Sequence, residues 1–356
     1  MGTKVIVVTG SGAYWGHRLA ERLAAEPNVS LIGLDTVGSD QTAQGLDTIR
    51  ADVRDPALAE LFESEKVDTV CHLKFAEHAS HNPAVDDLNI SGAQNILNAC
   101  VRAGVRQVVF KSSLDVYGAH PDNDIALRET HSLRASRRYG YTRHRLDIEA
   151  LIGRIAQQTD TPRITNLRFA NIVGPTADTP MTRFLRLSPA PTLMGFDPMQ
   201  QVIHEDDVVE ALAYAVLNGS GGTYNIAADH PLPLSRILAL TRTVPLPIPL
   251  LASTLWARLR SRWDQGPYRS FPIEPAYLRY SLVGDVEAMR RDFGYQPQYI
   301  AEEILTAFAL EVRSGSHEGP PPFRDADETL LRLAMERRKR SREQLLSPAQ
   351  EGEDNE

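Results

Sequence analysis

Short apolar runs rich in β-branched residues recur along this chain, each followed by a longer stretch with helical periodicity. The runs are "KVIVVTG", "VSLIGLD", "VDTVCHL", "RQVVFKSS" and "RITNLRFANIVG", and helical patterns occupy residues 14–26, 84–103 and 137–158. A strand that is apolar along its whole length, instead of at every second residue, has both faces buried. Such strands alternating with amphipathic helices predict a parallel sheet covered on both sides, a doubly wound α/β fold. With 356 residues, 42 % of them hydrophobic, the chain can bury a core of that size.

After Pro175 the texture changes. Residues 176–204 are proline-rich and read as loops with one short helix. "QVIHEDDVVEALAYAVL" then restores a strand-to-helix pattern, with Glu205, Asp206 and Asp207 favourably set at the helix N-terminus, and "GGTYNIA" reads as one more strand. The expected organisation is a main domain over 1–175, to which 205–228 return, and a smaller, mostly helical substrate-binding lobe from 176–204 and 229–315. Residues 316–356 form a proline-rich linker and a charged tail.

"VVTGSGAYWGHRLAERL" follows a strand and opens a helix. Glycines there let the backbone approach a pyrophosphate, while the helix N-terminus supplies N–H groups and positive potential. Asp35 ends the next strand, where a carboxylate accepts hydrogen bonds from the ribose hydroxyls of NAD and repels the 2′-phosphate of NADP. No arginine stands next to Asp35 in "DTVGSD", which favours NAD.

The net charge of −8 argues against nucleic acid as the main partner, despite "ERRKRSR" in the tail; four acidic residues, Glu351, Glu353, Asp354 and Glu356, crowd the last six positions. The N-terminus opens straight into a strand and no apolar run approaches the ~18 residues of a membrane span, so a cytoplasmic chain with no integral membrane association is expected. Cys71 and Cys100 lie in apolar runs without metal-like spacing and are expected as buried, reduced thiols; no metal site is expected.

The motifs together resemble the extended short-chain dehydrogenase/reductase superfamily, of the NAD-dependent epimerase/dehydratase type, over roughly residues 3–312. "TGSGAYWG" is similar to its T-G-x-x-G-x-x-G, with Gly10 and Gly16 as first and last glycines, Ala13 at the middle one and Gly12 just before it. "ADVRD", "VCHLKFA", "LNISGAQNILNACVRAGV", "VVFKSSLDVYG", "LRFANIVGP", "VIHEDDVVEAL" and "GDVEAMRRDFGYQP" follow in the family's order. The resemblance implies a Rossmann fold, bound NAD, a homodimer formed through the 84–103 and 137–158 helices, and cofactor contacts from Asp52, Val53, Leu73, Lys74 and Asn89.

It also implies a catalytic serine, tyrosine and lysine, which fall on Ser113, Tyr139 and Arg143. A free phenol titrates near ~10, so a neighbouring cation must favour its charged form if it is to act as a base near neutrality. Arginine keeps that charge while changing the contact with the cofactor's ribose, because a planar guanidinium sets its donors in a fixed fork. Tyr141 and Arg145 offer the same spacing two residues on; Gly140 and Thr142 match Y-G-x-S and favour the Tyr139 frame.

The implied activity is hydride transfer at a secondary alcohol or its ketone, with tyrosine as acid/base. The competing reading is an NAD-binding sensor or scaffold without turnover. For the substrate, Asp115 and Asn171 are candidate contacts, and Gln200 stands where nucleotide-sugar enzymes of the family carry a phosphate-binding arginine. Later arginines at 258, 260, 262, 269 and 279 are further candidates. The residues leave a sugar nucleotide and a more apolar alcohol both open.

Overall fold

Seven strands form the main sheet: β1 (Lys4–Thr9), β2 (Val29–Asp35), β3 (Leu46–Arg50), β4 (Thr69–His72), β5 (Gln107–Ser113), β6 (Arg163–Phe169) and β11 (Gly222–Ile226). All neighbours pair in parallel, in the order β11-β6-β5-β4-β1-β2-β3. The structure is a computed structural model and describes residues 3–36, 45–76, 82–159, 161–187, 189–250 and 273–314. The order reverses between β1 and β4, and in open sheets of this kind the crevice beyond the carboxyl ends at that point receives the ligand.

The alternation of side chains along β1 explains both covered faces. Ile6 and Val8 point to one side, packing with Leu19 and Leu23 of α1 (Tyr14–Ala24) and with Val208, Leu212 and Val216 of α6 (Glu205–Asn218). Val7 points to the other, into a core shared by α2 (Leu58–Ser64), α3 (Pro83–Ala103) and α4 (Gly140–Gln158). All three β1 side chains are fully buried, each contributing roughly 1.5–3 kcal/mol relative to exposure. Cys71 and Cys100 are buried free thiols, and burial pushes both upward in pKa.

Local signals set the helix ends. Asn82 caps α3, its side chain accepting the Ala84 N–H at 3.1 Å with Pro83 next in line, and Gly104 ends the helix in the left-handed conformation. His204 caps α6 ahead of its three acidic residues. α4 begins at Gly140, later than its periodicity suggests: Arg137 and Arg138 form a turn, and Tyr139 is the extended residue before the helix.

The run "RITNLRFANIVG" is two strands. β6 ends at Phe169, and after Ala170 the chain continues as β7 (Asn171–Val173), which pairs with β10 (Val202–His204). The described part of the smaller lobe combines α5 (Pro180–Leu185), α7 (Leu234–Leu240) and α8 (Ala301–Ser314) with two further strand pairs. These are β8 (Ala190–Leu193) with β13 (Pro245–Ile248), and β9 (Met199–Gln200) with β12 (Leu232–Pro233). Its own core centres on Phe184, Ile237, Ile304 and Phe308. The 316–356 tail and Arg258, Arg260, Arg262 and Arg269 lie outside the described residues.

Candidate active site

Gly10 follows β1 with φ +71°, and a Cβ on Gly16 would lie 2.1 Å from the Gly10 carbonyl oxygen, so this turn closes only with glycine at both positions. Ala13 precedes α1 in extended geometry, without a capping side chain, and the first turn carries no acidic residue. The N-terminus of α1 is therefore open to an anion at the reversal point of the sheet, which fits the pyrophosphate of a dinucleotide.

Asp35 ends β2 nearby. Its Oδ2 accepts the Gly12 N–H at 3.0 Å and its Oδ1 the Thr36 N–H at 2.7 Å. Lys74, which follows β4, reaches across the end of β1 to the same carboxylate, Nζ to Oδ1 2.5 Å. Leu73 lines the cleft. Asp52 is held by Arg54 through Nε at 2.9 Å and Nη2 at 2.5 Å; burial works to raise its pKa, but Arg54 outweighs it and the carboxyl sits lower than usual.

Two of the expected cofactor contacts also hold the fold together. The Val53 side chain is buried against Gly92 of α3, where a Cβ would meet it at 2.7 Å, and its carbonyl accepts from Asn95 Nδ2 at 2.9 Å. Asn89 is fully buried, exchanging bonds of 2.8 Å with both the N–H and the carbonyl of Ala76 and lying 2.9 Å from His144 Nδ1. It fastens the segment after β4 to α3 and α4.

A cleft of about 420 Å³ runs from Ala13 and Trp15 past Leu73, Lys111, Ser113 and Asp115 to Arg145, Asn171 and Met181. Ser113 Oγ accepts the Asp115 N–H at 3.2 Å, which leaves its own proton to donate. Lys111 Nζ stands 5.1 Å over the Trp15 ring. Asp115, Asn171 and Gln200 meet at an adjoining pocket with Tyr141 and Tyr277. There Gln200 bonds Asn171 Nδ2 at 3.2 Å and the Tyr277 carbonyl at 3.0 Å, so the two amides fix one another. Arg279, beside this region, lies against the rings of Phe196 and Tyr280.

Tyr139 and Arg143 are not among the residues lining the cleft. Because α4 starts at Gly140, Arg143 turns toward α3 and pairs with Asp86 at 2.8 Å. Tyr139 is half-buried ahead of the helix, and burial, then the nearby Glu274, push its phenol upward, the wrong direction for a base. Tyr141 and Arg145 share the face turned inward: Arg145 lines the cleft, with its guanidinium carbon 4.8 Å from the Phe75 ring centre and 5.7 Å from that of Tyr141.

Several contributors were not foreseen. Glu149, one turn beyond Arg145, accepts from Arg168 at 2.9 and 2.6 Å and from Ser112 Oγ at 2.7 Å. Glu274, only 6 % exposed, accepts from Thr142 Oγ1 at 3.3 Å, and burial, with the Asp115 charge adding to it, pushes its carboxyl up to about 7. Nothing in its local sequence marks it. Among the described residues no group of three His, Cys, Asp or Glu could hold a metal ion, and no helix is long and apolar enough to cross a membrane.

Sheet order, glycine turn and the acid closing β2 put the chain among dinucleotide-binding α/β proteins. Residues 6–227 match the family described as the NAD dependent epimerase/dehydratase family, and the chain belongs to that family, within the extended short-chain dehydrogenase/reductase superfamily. An uncharacterised protein of Mycobacterium tuberculosis is 34 % identical over 312 residues, covering 85 % of this chain and 82 % of its own. Among solved structures, a UDP-glucose 4-epimerase from Thermotoga maritima, determined with UDP-glucose, superposes with a TM-score of 0.65 at 19 % identity, over 87 % of this chain and 99 % of that one. A dTDP-glucose 4,6-dehydratase from Bacillus anthracis, in complex with NAD, gives 0.65 at 14 % identity, over 87 % and 97 %.

Proposed function

We propose that this chain is an NAD-dependent enzyme that oxidises and reduces a secondary alcohol and its ketone, as an epimerase, dehydratase or dehydrogenase, with Tyr141 as acid/base. The observation that carries the reading is the pairing of Tyr141 with Arg145 on the inward face of α4, with Arg145 in the same cleft as Ser113. Bound NAD supplies the hydride acceptor. Ser113 donates to the substrate oxygen, and Tyr141 takes the hydroxyl proton on oxidation and returns it on reduction. Arg145, aligned by its packing on Phe75, favours the charged form of the phenol. Asp115, Asn171 and Gln200 orient the rest of the substrate from the adjoining pocket. Nucleotide sugars are the substrate class that the similar epimerase and dehydratase suggest, while Trp15, Phe75, Phe169 and Met181 in the cleft also suit a more apolar alcohol. A cytoplasmic homodimer through α3 and α4 belongs to the same reading and rests on the resemblance; analytical ultracentrifugation reads the oligomeric state.

The test is a turnover assay with NAD and a panel of nucleotide sugars and secondary alcohols, on wild type, Tyr141→Phe and Tyr139→Phe. Tyr141→Phe is expected to lower kcat by about 10³-fold, within the range for a lost acid/base group, and Tyr139→Phe by less than about threefold. The reverse order would return the role to Tyr139. Tight NAD binding with no turnover on any substrate would favour a sensor.

A further inference from the structure

The end of β2 carries more positive charge than its sequence neighbourhood shows. Lys74 is pinned by its backbone: the N–H groups of Leu73 and Lys74 donate to Thr9 Oγ1 at 3.1 and 3.2 Å, and a Cβ on Gly10 would meet Lys74 Cα and N at 3.0 Å. From there the side chain spans to Asp35 Oδ1 at 2.5 Å and Thr36 Oγ1 at 3.3 Å. The pair is closed from solvent, the two side chains 4 % and 3 % exposed. A second cation comes from the edge strand: Arg50 is the register partner of Asp35, is exposed, and donates from Nε to the Thr36 carbonyl at 2.9 Å. Asp52 and Asp87 are both bound by Arg54.

An acid at the end of β2 excludes a 2′-phosphate only while its charge stands uncompensated. Here Lys74 neutralises it, and Arg50 adds a guanidinium with the fork geometry that suits phosphate. Resting on the dinucleotide reading above, we propose that Lys74 and Arg50 make this site accept the 2′-phosphorylated dinucleotide, NADP, alongside NAD. Lys74 compensates the charge of Asp35, and the exposed Arg50 receives the phosphate of NADP.

Equilibrium titration of the full chain with NAD and with NADP, followed by calorimetry, tests this without any turnover. The wild-type dissociation constants are expected within about tenfold of each other, with NADP binding weakening more steeply as salt is raised. Lys74→Met and Arg50→Met should each shift the ratio toward NAD by roughly tenfold, the scale of one charge-assisted hydrogen bond to phosphate. Arg50 is exposed, so its variant reads the effect even if Lys74→Met, which leaves a buried carboxylate unpaired, fails to fold. A wild-type preference for NAD of about 100-fold or more, or a ratio unmoved in Arg50→Met, overturns the proposal while leaving the dinucleotide reading intact. Binding of neither dinucleotide overturns both.

Discussion

Two arginines stand two residues apart on α4 and lead different lives. Arg143 leans outward onto Asp86 of α3, in a pair whose members are both partly exposed. Arg145 lies inward over Phe75 and Tyr141, at the wall of the cleft. Each follows a tyrosine by four residues, so spacing alone cannot distinguish them. What separates them is the rotation of the helix, which is set by where it starts and by what the inward face grips one turn further on. Glu149 grips Arg168 and Ser112 in the interior and locks the Tyr141–Arg145 face toward the cleft.

The sharpest way to break this comparison is to remove one cation at a time. Arg145→Met is expected to lower kcat/KM by about 10³-fold, close to 4 kcal/mol, with Arg143→Met within about threefold, measured as initial rates on whichever substrate the panel identifies. Equal losses would mean that both faces of α4 reach the chemistry.

Stability offers the next contrast. Glu149→Gln leaves Arg168 charged, buried and unmatched, and is expected to cost about 3 kcal/mol. Asp86→Asn keeps an oxygen for the buried His144 Nε2 and weakens only the partly exposed pair with Arg143, and is expected to cost no more than about 1 kcal/mol. Urea midpoints compare the two directly, and a smaller loss from Glu149→Gln than from Asp86→Asn would contradict the account of what locks the helix.

The smallest effect concerns Glu274, which touches Thr142 between the two frames. Its carboxyl is raised by burial to about 7 in the folded chain, from an ordinary value near 4.5. The folded state therefore binds a proton that the unfolded state has released, and stability falls as pH rises through that interval. Glu274→Gln should remove this slope and stabilise the chain at pH 8 by no more than about 2 kcal/mol, with little change at pH 4. Thermal unfolding across pH 4–8 checks it; a wild-type curve that climbs from pH 5 to 7 in parallel with the variant would show that Glu274 titrates normally.

The sheet was legible because burial on both faces leaves an unbroken apolar run, and Ile6, Val7 and Val8 needed no tertiary information to be read as strand. The glycine turn was legible for the same local reason. Which face of α4 turns to the cleft was not, since Gly140 and Thr142 fit the family's spacing while the start of α4 depends on contacts with α3 and the 273–278 segment. Lys74 was read as pointing toward the cofactor, but its partner Asp35 lies two strands away across β1, a distance only the sheet order reveals. Glu274 belongs to the lobe and meets α4 only in the folded chain.

The handover between the sheets has a mechanical consequence. β6 belongs to the main sheet and β7 to the lobe, with Ala170 alone between them, its N–H bonded to Ile226 and that of Asn171 to Gln201. A joint of one residue, fastened on both sides, has no slack. Phe169, at the end of β6, is the register partner of Ser113, so this fastened joint ties Asn171, two residues on, to the strand end that carries the serine.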